Sequence, residues 1–331
     1  MNKKPSNPFP SLHFAEHGGT GPYLLLVHGF LSSSAQWNLN LPALRKICRP
    51  ITVDLWGHGQ SPAPEAPSHY SPSSYALEFE KIRKELGAEN WFICGYSIGA
   101  SLSIRYAIDF SGSVLGHAFT NSTSAFTDYS KNEVWLASIT ENAAKITAGG
   151  LEAIEKIPVH PKRARNIPKS IHSELLRASK ELNPTAIANM YIETLVFANI
   201  MGVAKYNLRP ALLLWGTKEK RFQKLGEWAE KNMPLLEIVK LDTGHGVNME
   251  KIDEFNKGLD IKSGKKYDKV IQNGSVWGFI AKTDGVHKGI PHKKGDVFKA
   301  AGWRAPAKWA RGNIYDPNQN WFRWTGPDYL I

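Results

Sequence analysis

Cysteine and long apolar runs are both scarce in this chain, and each shortage excludes a class of protein. The 331 residues include two cysteines, Cys48 and Cys94, which are too few for a framework of disulfide bonds. No stretch of about 18 apolar residues occurs, so no helix is predicted to span a membrane. The first ten residues contain three prolines and no apolar segment of the kind found in a secretory signal peptide. We therefore expect a cytoplasmic protein.

Acidic residues are outnumbered by basic ones, and the imbalance is concentrated at one end of the chain. There are 41 Lys and Arg against 30 Asp and Glu, which gives a formal net charge of +11. Residues 262–331 contain 13 basic and 5 acidic residues, a local balance of +8. Attraction to polyanions is therefore expected mainly in this segment. Hydrophobic residues make up 42% of the chain, which is enough for a packed core.

Short apolar runs alternate with longer amphipathic stretches through most of the chain. The runs lie at 23–27, 51–53, 91–94, 114–119, 211–215 and 236–241, with a further edge strand at 11–17. They are continuous rather than alternating, which is typical of parallel strands that helices cover on both faces. Helices are predicted between them, for example over 73–86 and 98–110. The pattern predicts an α/β fold with a mostly parallel, doubly wound sheet.

Two segments break this pattern. Residues 124–206 lack clear strands and are interrupted by prolines, so we expect several helices that form a cap. Near the C-terminus, two strand-like runs at 267–272 and 275–281 are joined by the turn pair Asn273-Gly274. The predicted domains are a first domain at 1–261 and a small C-terminal α+β module at 262–331.

The strongest chemical signal is the segment Gly95-Tyr96-Ser97-Ile98-Gly99, which follows an apolar run and precedes a predicted helix. A strand, a sharp turn and a helix in that order are the context of a nucleophilic serine. Glycines on both sides of Ser97 permit the turn, and a helix N-terminus favours negative charge that develops there. Ser97 is thus the predicted nucleophile; the alternative is a chance match in a glycine-containing turn.

The segment His28-Gly29-Phe30 directly follows the first strong strand. The backbone amides of Phe30 and Ile98 are predicted to form an oxyanion hole for a tetrahedral intermediate, and His28 is interpreted as a structural support of the loop. Asp54 and His58 lie in the turn after the next strand. Catalysis or metal binding is one interpretation of that pair, and a turn that shapes the pocket floor is the preferred one. We expect neither a metal ion nor a cofactor.

Gly244-His245-Gly246 follows the last strand of the predicted sheet. A histidine there can reach a serine at the strand ends, and its titration range suits it to accept the serine proton. The acid is expected after the 211–215 strand, where Glu219 is the candidate. A solvated glutamate is the alternative interpretation of Glu219, and Asp128 and Asp242 are the alternative acids.

Taken together, residues 11–261 resemble the α/β-hydrolase superfamily. The resemblance rests on four motifs in the expected chain order, and it implies a central sheet with a helical cap. It also implies a catalytic triad of Ser97, Glu219 and His245, with a glutamate where aspartate is usual in the superfamily.

A narrower resemblance concerns one group of lyases. The segments 26–30, 95–97 and 216–222, together with Trp37, are similar to menaquinone-pathway enzymes that make a succinyl-hydroxycyclohexadiene carboxylate. Such enzymes use the triad for proton abstraction and elimination rather than for hydrolysis. They usually carry an arginine shortly after the nucleophile, whereas this chain has Ala100-Ser101-Leu102 there and Arg105 further along.

Candidate substrate-binding residues lie in two places. Trp37 follows the predicted oxyanion loop in the sequence, and Tyr96 directly precedes the predicted nucleophile, Ser97. Arg163 and Arg165 belong to a compact basic cluster at 159–165 in the predicted cap, which is suited to attract an anionic substrate such as a carboxylate. A solvated surface is the alternative interpretation of this cluster.

The C-terminal module interleaves tryptophans with basic residues. The tryptophans are Trp277, Trp303, Trp309, Trp321 and Trp324. Aromatic and basic side chains together can stack bases and neutralise phosphates, so nucleic acid is one candidate partner. The preferred interpretation is a small domain whose tryptophans complete a limited core.

Three functions follow from these residues. The leading hypothesis is a serine hydrolase that acts on an ester or related carbonyl compound through an acyl-enzyme. The second is a lyase that uses the Ser97–His245 pair as a base, and the third is a catalytically silent ligand-binding protein. A small molecule is the expected partner in each case, with no membrane partner.

Overall fold

The protein consists of two compact units, Met1–Gly258 and Leu259–Ile331. The division predicted from the sequence lies after residue 261. The computed structural model describes residues 11–128, 132–259, 267–272, 275–302, 305–316, 322–323 and 326–327. Each unit has its own β-sheet within these ranges.

The first unit is built on a seven-stranded sheet. Its strands are β1 (Phe14–Glu16), β2 (Tyr23–Val27), β3 (Arg49–Val53), β4 (Trp91–Gly95), β5 (Val114–Thr120), β6 (Ala211–Gly216) and β7 (Leu236–Leu241). They lie side by side in the order β1-β3-β2-β4-β5-β6-β7, and every neighbouring pair is parallel except β1 with β3. The predicted mostly parallel sheet is confirmed, with a short antiparallel strand at one edge.

The central strands are buried because they are apolar along their whole length. Leu25 and Val27 of β2 have no exposed surface and pack with Tyr75 and Phe79 from the helix that follows β3. Full burial of such a side chain contributes about 1.5–3 kcal/mol to stability. Since the strands from β2 to β7 are parallel, their carboxyl ends share one edge of the sheet, and the loops that leave this edge lie close together.

Helices cover the sheet, and a further group of helices is inserted in the sequence between β5 and β6. The helices are α1 (Leu41–Leu44), α2 (Pro72–Glu85), α3 (Ile98–Asp109), α4 (Glu133–Glu155), α5 (Lys169–Ser179), α6 (Pro184–Asn189), α7 (Gln223–Asn232), α8 (Val247–Glu250) and α9 (Ile252–Gly258). Among the described residues, no helix combines the length and the apolar character needed to cross a bilayer.

The helices α4 to α6, with a π-helical turn at Met190–Leu195, occupy the segment predicted to be a cap. Pro184 begins α6, a position at which proline is tolerated because the first-turn amide has no helical acceptor. The segment has its own apolar cluster, which includes Ile154 and Ile187. Phe30, from the loop after β2, packs against this cluster. The cap therefore rests on the loop predicted to bind an oxyanion.

The second unit is formed by short antiparallel strands. They are β8 (Tyr267–Gln272), β9 (Ser275–Ala281), β10 (Gly285–His287), β11 (Ile290–His292), β12 (Asp296–Gly302), β13 (Ala305–Asn313), β14 (Phe322–Arg323) and β15 (Gly326–Pro327). One sheet has the order β13-β12-β9-β8, and the pairs β10–β11 and β14–β15 are separate. The strands of the predicted α+β module are therefore present, and the described residues of this unit contain no helix.

Phenylalanines fill the core cluster in the described part of the second unit, where Phe279 and Phe298 pack together. Trp277 is half-buried. Trp309 is 49% exposed, and Nζ of Lys308 lies 5.3 Å from the centre of its ring. The remaining predicted features, Trp303, Trp321, Trp324 and the turn pair Asn273-Gly274, lie outside the described residues.

Candidate active site

Ser97 occupies a strained turn between β4 and α3. Its backbone has φ 56° and ψ −117°, a conformation that residues with a side chain rarely adopt. A Cβ atom at Gly95 would collide with the carbonyl oxygen of Gly99, and one at Gly99 would lie 2.5 Å from the carbonyl oxygen of His28. Both glycines are therefore required, because β4, α3 and the loop after β2 approach one another closely.

Gly99→Ala is expected to destabilise the fold by about 3 kcal/mol or to prevent folding, because overpacking beside rigid backbone is costly. The added methyl group would lie 2.5 and 2.6 Å from the carbonyl oxygens of His28 and Val27. Gly112→Ala is the matched control, since no atom lies within 4 Å of its added carbon; a change within about 0.5 kcal/mol is expected. Urea unfolding measures both, and equal stabilities would contradict the close approach.

Three side chains from separate loops meet beside this turn. The Nε2 atom of His245 lies 3.0 Å from Ser97 Oγ, and the Nδ1 atom of His245 lies 2.9 Å from Glu219 Oε2. His245 follows β7 and Glu219 follows β6, so both lie at the carboxyl edge of the sheet, as Ser97 does. A carboxylate that accepts from Nδ1 fixes the tautomer in which Nε2 can accept the serine proton.

Glu219 is held by more than the histidine. Asn121, which directly follows β5, donates from Nδ2 to Glu219 Oε2 at 2.8 Å and bonds both backbone groups of Gly216. Burial acts to raise the pKa of Glu219. The hydrogen bond and charge of His245, the Asn121 amide and the charge of Arg221 outweigh burial, so the pKa lies below its ordinary value. The carboxylate is therefore ionised at neutral pH.

The alternative acids lie on the surface. Asp242 forms an ion pair with Lys218 at 2.9 Å, and its side chain is 75% exposed. Asp128 is exposed near the start of the cap segment. Of the three carboxylates considered from the sequence, Glu219 is the one that the structure places against His245 Nδ1.

A further carboxylate reaches the histidine loop. Glu250, the last residue of α8, accepts hydrogen bonds from the backbone amides of Gly244 and Gly246 at 2.9 and 3.0 Å. Sequence reasoning missed both Glu250 and Asn121. The available signal for Asn121 is its position directly after a strand that ends at the same edge. No recognisable motif includes Glu250.

The amides predicted to bind an oxyanion are those of Phe30 and Ile98. None of the described residues accepts a hydrogen bond from either amide. Ile98 begins α3, where first-turn amides lack helical acceptors. Gly29 allows the loop to approach, since a Cβ atom there would lie 2.6 Å from the Tyr96 ring and 3.3 Å from Ser97 Cβ. The loop after β2 is thus packed against the turn of the serine.

Two buried histidines support the same loop. His28 places Nδ1 2.7 Å from the carbonyl oxygen of Gly29, and its Nε2 accepts from the amide of Leu55 at 3.0 Å. His58 Nε2 accepts from the amide of Leu31 at 3.2 Å. Burial lowers the pKa of His28 and lowers that of His58 to about 3. Both rings are neutral and bond to backbone, in agreement with a structural role.

The two aromatic candidates for substrate contact lie in different surroundings. Tyr96 meets His245 edge to face, with ring centroids 5.2 Å apart, so it borders the reacting groups. Burial raises the pKa of the Tyr96 hydroxyl, and the charges of Glu219 and Glu250 raise it further. Trp37 is completely buried and packs against Phe255 of α9. In this structure Trp37 is a packing residue with no surface open to a ligand.

The two arginines of the cap also differ. Arg163 donates from Nη1 to the carbonyl oxygens of Glu155 and Ile157, so it completes the C-terminal end of α4. Arg165 is exposed and lies two residues before Ile167. A Cβ atom at Gly246 would lie 3.4 Å from Ile167 Cγ2, so this part of the cap reaches the loop of the histidine. Ile167 is thus the cap residue placed against the histidine loop, and Arg165 is exposed two residues before it.

Comparison with protein families finds two matches. Residues 22–141 match the model of the alpha/beta hydrolase fold. This match includes the loop after β2 and the turn of Ser97. Residues 216–329 match a family of unknown function. The second match includes the loops of Glu219 and His245 and continues through most of the second unit.

Comparison with individual proteins finds matches of different extent. An uncharacterized protein of Mycobacterium tuberculosis is 36% identical over 92 residues, 28% of this chain and 26% of the relative, so the chain spans about a quarter of that relative. A Bacillus subtilis protein named as a 2-succinyl-6-hydroxy-2,4-cyclohexadiene-1-carboxylate synthase is 24% identical over 71% of this chain and 87% of the relative. The structure of MenH from S. aureus has a TM-score of 0.65 and 19% identity, over 74% of this chain and 95% of that chain. The first unit of this protein is therefore an alpha/beta hydrolase fold.

Proposed function

We propose that the protein is a serine hydrolase that cleaves an ester or related carbonyl compound through an acyl-enzyme. The observation that carries the proposal is the hydrogen-bonded chain from Ser97 through His245 to Glu219, with distances of 3.0 and 2.9 Å. A hydroxyl paired with an oriented imidazole is activated as a nucleophile near neutral pH. The strained turn presents that hydroxyl at the N-terminus of α3, where negative charge is favoured.

In the proposed reaction, His245 Nε2 takes the hydroxyl proton while Ser97 Oγ bonds to the carbonyl carbon. The carbonyl oxygen becomes an oxyanion, and the amides of Phe30 and Ile98, which bond to none of the described residues, are suited to bind it. One such donor is worth about 3 kcal/mol in serine enzymes. The imidazolium then passes the proton to the leaving alcohol as its bond to the acyl carbon breaks. Water, deprotonated by the same imidazole, then bonds to the acyl carbon. The bond from that carbon to Ser97 Oγ breaks, and the imidazolium returns its proton to Oγ, which releases the acid and restores the serine.

A lyase of the cyclohexadiene-carboxylate synthase type is the second candidate, because the Bacillus relative matches over most of its length. In that role the Ser97–His245 pair would remove a substrate proton without forming an acyl-enzyme. The arginine that this resemblance implies after the nucleophile is replaced by Ala100-Ser101-Leu102. Arg105 is ion-paired with Asp109 at 2.6 Å, one turn further along α3. A hydrolase therefore fits these residues better.

The substrate is proposed to carry a carboxylate close to the scissile bond. Arg165 is exposed on the cap segment that reaches the His245 loop through Ile167. A guanidinium is always charged and pairs with carboxylates in a two-pronged geometry. An ester of a dicarboxylic acid, with one carboxylate free, combines both features.

Rapid quenching during turnover of 4-nitrophenyl esters tests the hydrolase proposal. We expect a burst of about one nitrophenol per chain and an acyl mass on the peptide that contains Ser97. The panel pairs the neutral butyryl ester with the monosuccinyl ester, which is expected to react faster because of Arg165.

Two further results would separate the alternatives. Elimination from a substrate of the cyclohexadiene-carboxylate synthase type, added as a separate compound, with no covalent adduct at Ser97, would replace the hydrolase proposal with the lyase. Binding of these compounds without any turnover would favour the catalytically silent ligand-binding protein.

A further inference from the structure

His245 lies between two glycines, so its loop needs a restraint from outside. Glycine has the largest backbone freedom of any residue, and Gly244 and Gly246 place that freedom on both sides of the histidine. The ring must nevertheless keep Nε2 at 3.0 Å from Ser97 Oγ. The bond to Glu219 fixes the ring at Nδ1. On the C-terminal side, the carbonyl oxygens of His245 and Gly246 accept from backbone amides at the start of α8, whereas the backbone amides of the two glycines need a separate acceptor.

Glu250 supplies a restraint on both sides at once. Its Oε2 accepts from the amide of Gly244 at 2.9 Å, and its Oε1 accepts from the amide of Gly246 at 3.0 Å. The backbone amide of Glu250 also donates to the carbonyl oxygen of Gly246 at 2.7 Å. One side chain therefore bonds the backbone on both sides of the histidine, and hydrogen bonds to a carboxylate are stronger than those between neutral groups.

The two glycines are matched to this carboxylate. A Cβ atom at Gly244 would lie 3.1 Å from Glu250 Oε1, and one at Gly246 would lie 3.0 Å from the same oxygen. Ile167 of the cap lies 3.4 Å from the position of the Gly246 Cβ. The loop is therefore confined between a carboxylate and the cap, at a spacing that larger residues would disturb.

We propose that Glu250 is a positioning residue for the catalytic base, which acts by holding the backbone of the His245 loop at two points. The proposal rests on the proposed function, in which His245 accepts the proton of Ser97. Glu250 itself contacts the loop and not the reacting atoms. Its contribution is to keep the distance between Nε2 and Oγ within hydrogen-bond range throughout turnover.

Two substitutions test whether Glu250 must bond the amides of both Gly244 and Gly246. In Glu250→Gln, the side-chain amide keeps one acceptor and turns a donor towards the other backbone amide. In Glu250→Asp, the charge remains but the shorter side chain reaches only one amide. Both are expected to lower the second-order rate constant for fluorophosphonate labelling of Ser97 by about 10- to 100-fold, because small misplacements of reacting groups are costly. In ester turnover kcat should fall and KM should stay unchanged.

Glu254→Gln is the matched control, since it removes the same charge from the next helix. Glu254 pairs with Lys251 at 3.6 Å on the surface, so wild-type labelling is expected. Wild-type rates in both Glu250 variants would overturn the proposal. It would also fail if Glu250→Asp restored the rate that Glu250→Gln loses, because charge alone would then account for the effect.

Hydrogen exchange in the native protein tests the hold without any substitution. The amides of Gly244 and Gly246 are expected to exchange at least about tenfold more slowly than the amide of Gly202. Gly202 is exposed, and no described residue accepts from its amide. Equal exchange rates would overturn the proposal even if the variants fail to fold. If Gly244 and Gly246 exchange slowly but fluorophosphonate does not label Ser97 in the native protein, the serine hydrolase proposal fails, and the restraint of the loop by Glu250 stands.

Discussion

Ser97→Ala is expected to abolish fluorophosphonate labelling and to lower kcat for ester hydrolysis by about 10⁶-fold. The substitution removes the oxygen that lies 3.0 Å from His245 Nε2 and leaves the base without a nucleophile to activate. The amides of Phe30 and Ile98 remain, so a small residual rate above that in water is expected. Folding should persist, because Ser97 is only half-buried and the change adds no bulk to the turn.

Ser103→Ala is the control for this result. Ser103 lies on the same helix, and its buried hydroxyl has no hydrogen-bond partner among the described residues. Removing that hydroxyl should therefore leave labelling and turnover at the wild-type level. In-gel fluorescence gives the extent of labelling, and mass spectrometry gives the labelled peptide. Equal labelling of the wild type and Ser97→Ala would mean that the reactive group is another residue.

The positions of the serine and the histidine could be predicted because both depend on local patterns and strand order. A serine between glycines after an apolar run requires a sharp turn, and the structure has that turn at Ser97 with φ 56°. The carboxyl ends of parallel strands share one edge, so loops after β6 and β7 were expected near it. Glu219 and His245 lie there, within hydrogen-bond distance of each other.

The supporting residues could not be predicted, because their contacts join distant parts of the chain. Asn121 bonds Glu219 across 98 positions of sequence, and its pairing depends on β5 and β6 being neighbours. Arg163 was a candidate substrate contact because it belongs to a basic cluster. In the structure it bonds carbonyl groups at the end of α4, which a count of charges does not indicate.

The second unit shows why composition alone leaves two interpretations open. Aromatic and basic residues that alternate along a strand can either complete a small core or bind a polyanion. In the described residues, Phe279 and Phe298 form the core cluster, whereas Trp309 is exposed beneath the ammonium group of Lys308. The burial of each ring depends on which face of the sheet it occupies, and irregular pairing between β12 and β13 shifts that register.

Glu219→Gln is expected to lower kcat by about 10⁴-fold and to leave the protein folded. The glutamine can turn its amide group towards His245 Nδ1, which favours the tautomer with hydrogen on Nε2. That tautomer cannot accept the proton of Ser97. Fluorophosphonate labelling should slow rather than disappear, because the serine and the oxyanion amides are unchanged.

Two further variants locate the effect. Asn121→Ala is expected to lower kcat by about tenfold, since Glu219 loses one hydrogen bond and keeps its bond to His245. Asp242→Asn is the control, because Asp242 is an exposed acid that pairs with Lys218. Wild-type turnover is expected for this control. If Asp242→Asn lowered kcat as much as Glu219→Gln, the assignment of the acid would be reversed.

Glu219 should also give a characteristic dependence of stability on pH. Its pKa lies below the ordinary glutamate value of 4.5, because hydrogen bonds and nearby positive charge favour the carboxylate more than burial opposes it. Its contribution to the free energy of unfolding is therefore fully present above about pH 4.5 and is lost as pH falls through the lower pKa of the folded state. The difference in thermal stability between the wild type and Glu219→Gln should stay constant from about pH 7 down to about pH 4.5 and shrink as pH falls below that value. A difference that also stays constant below about pH 4.5 would show that the ionised carboxylate does not hold His245.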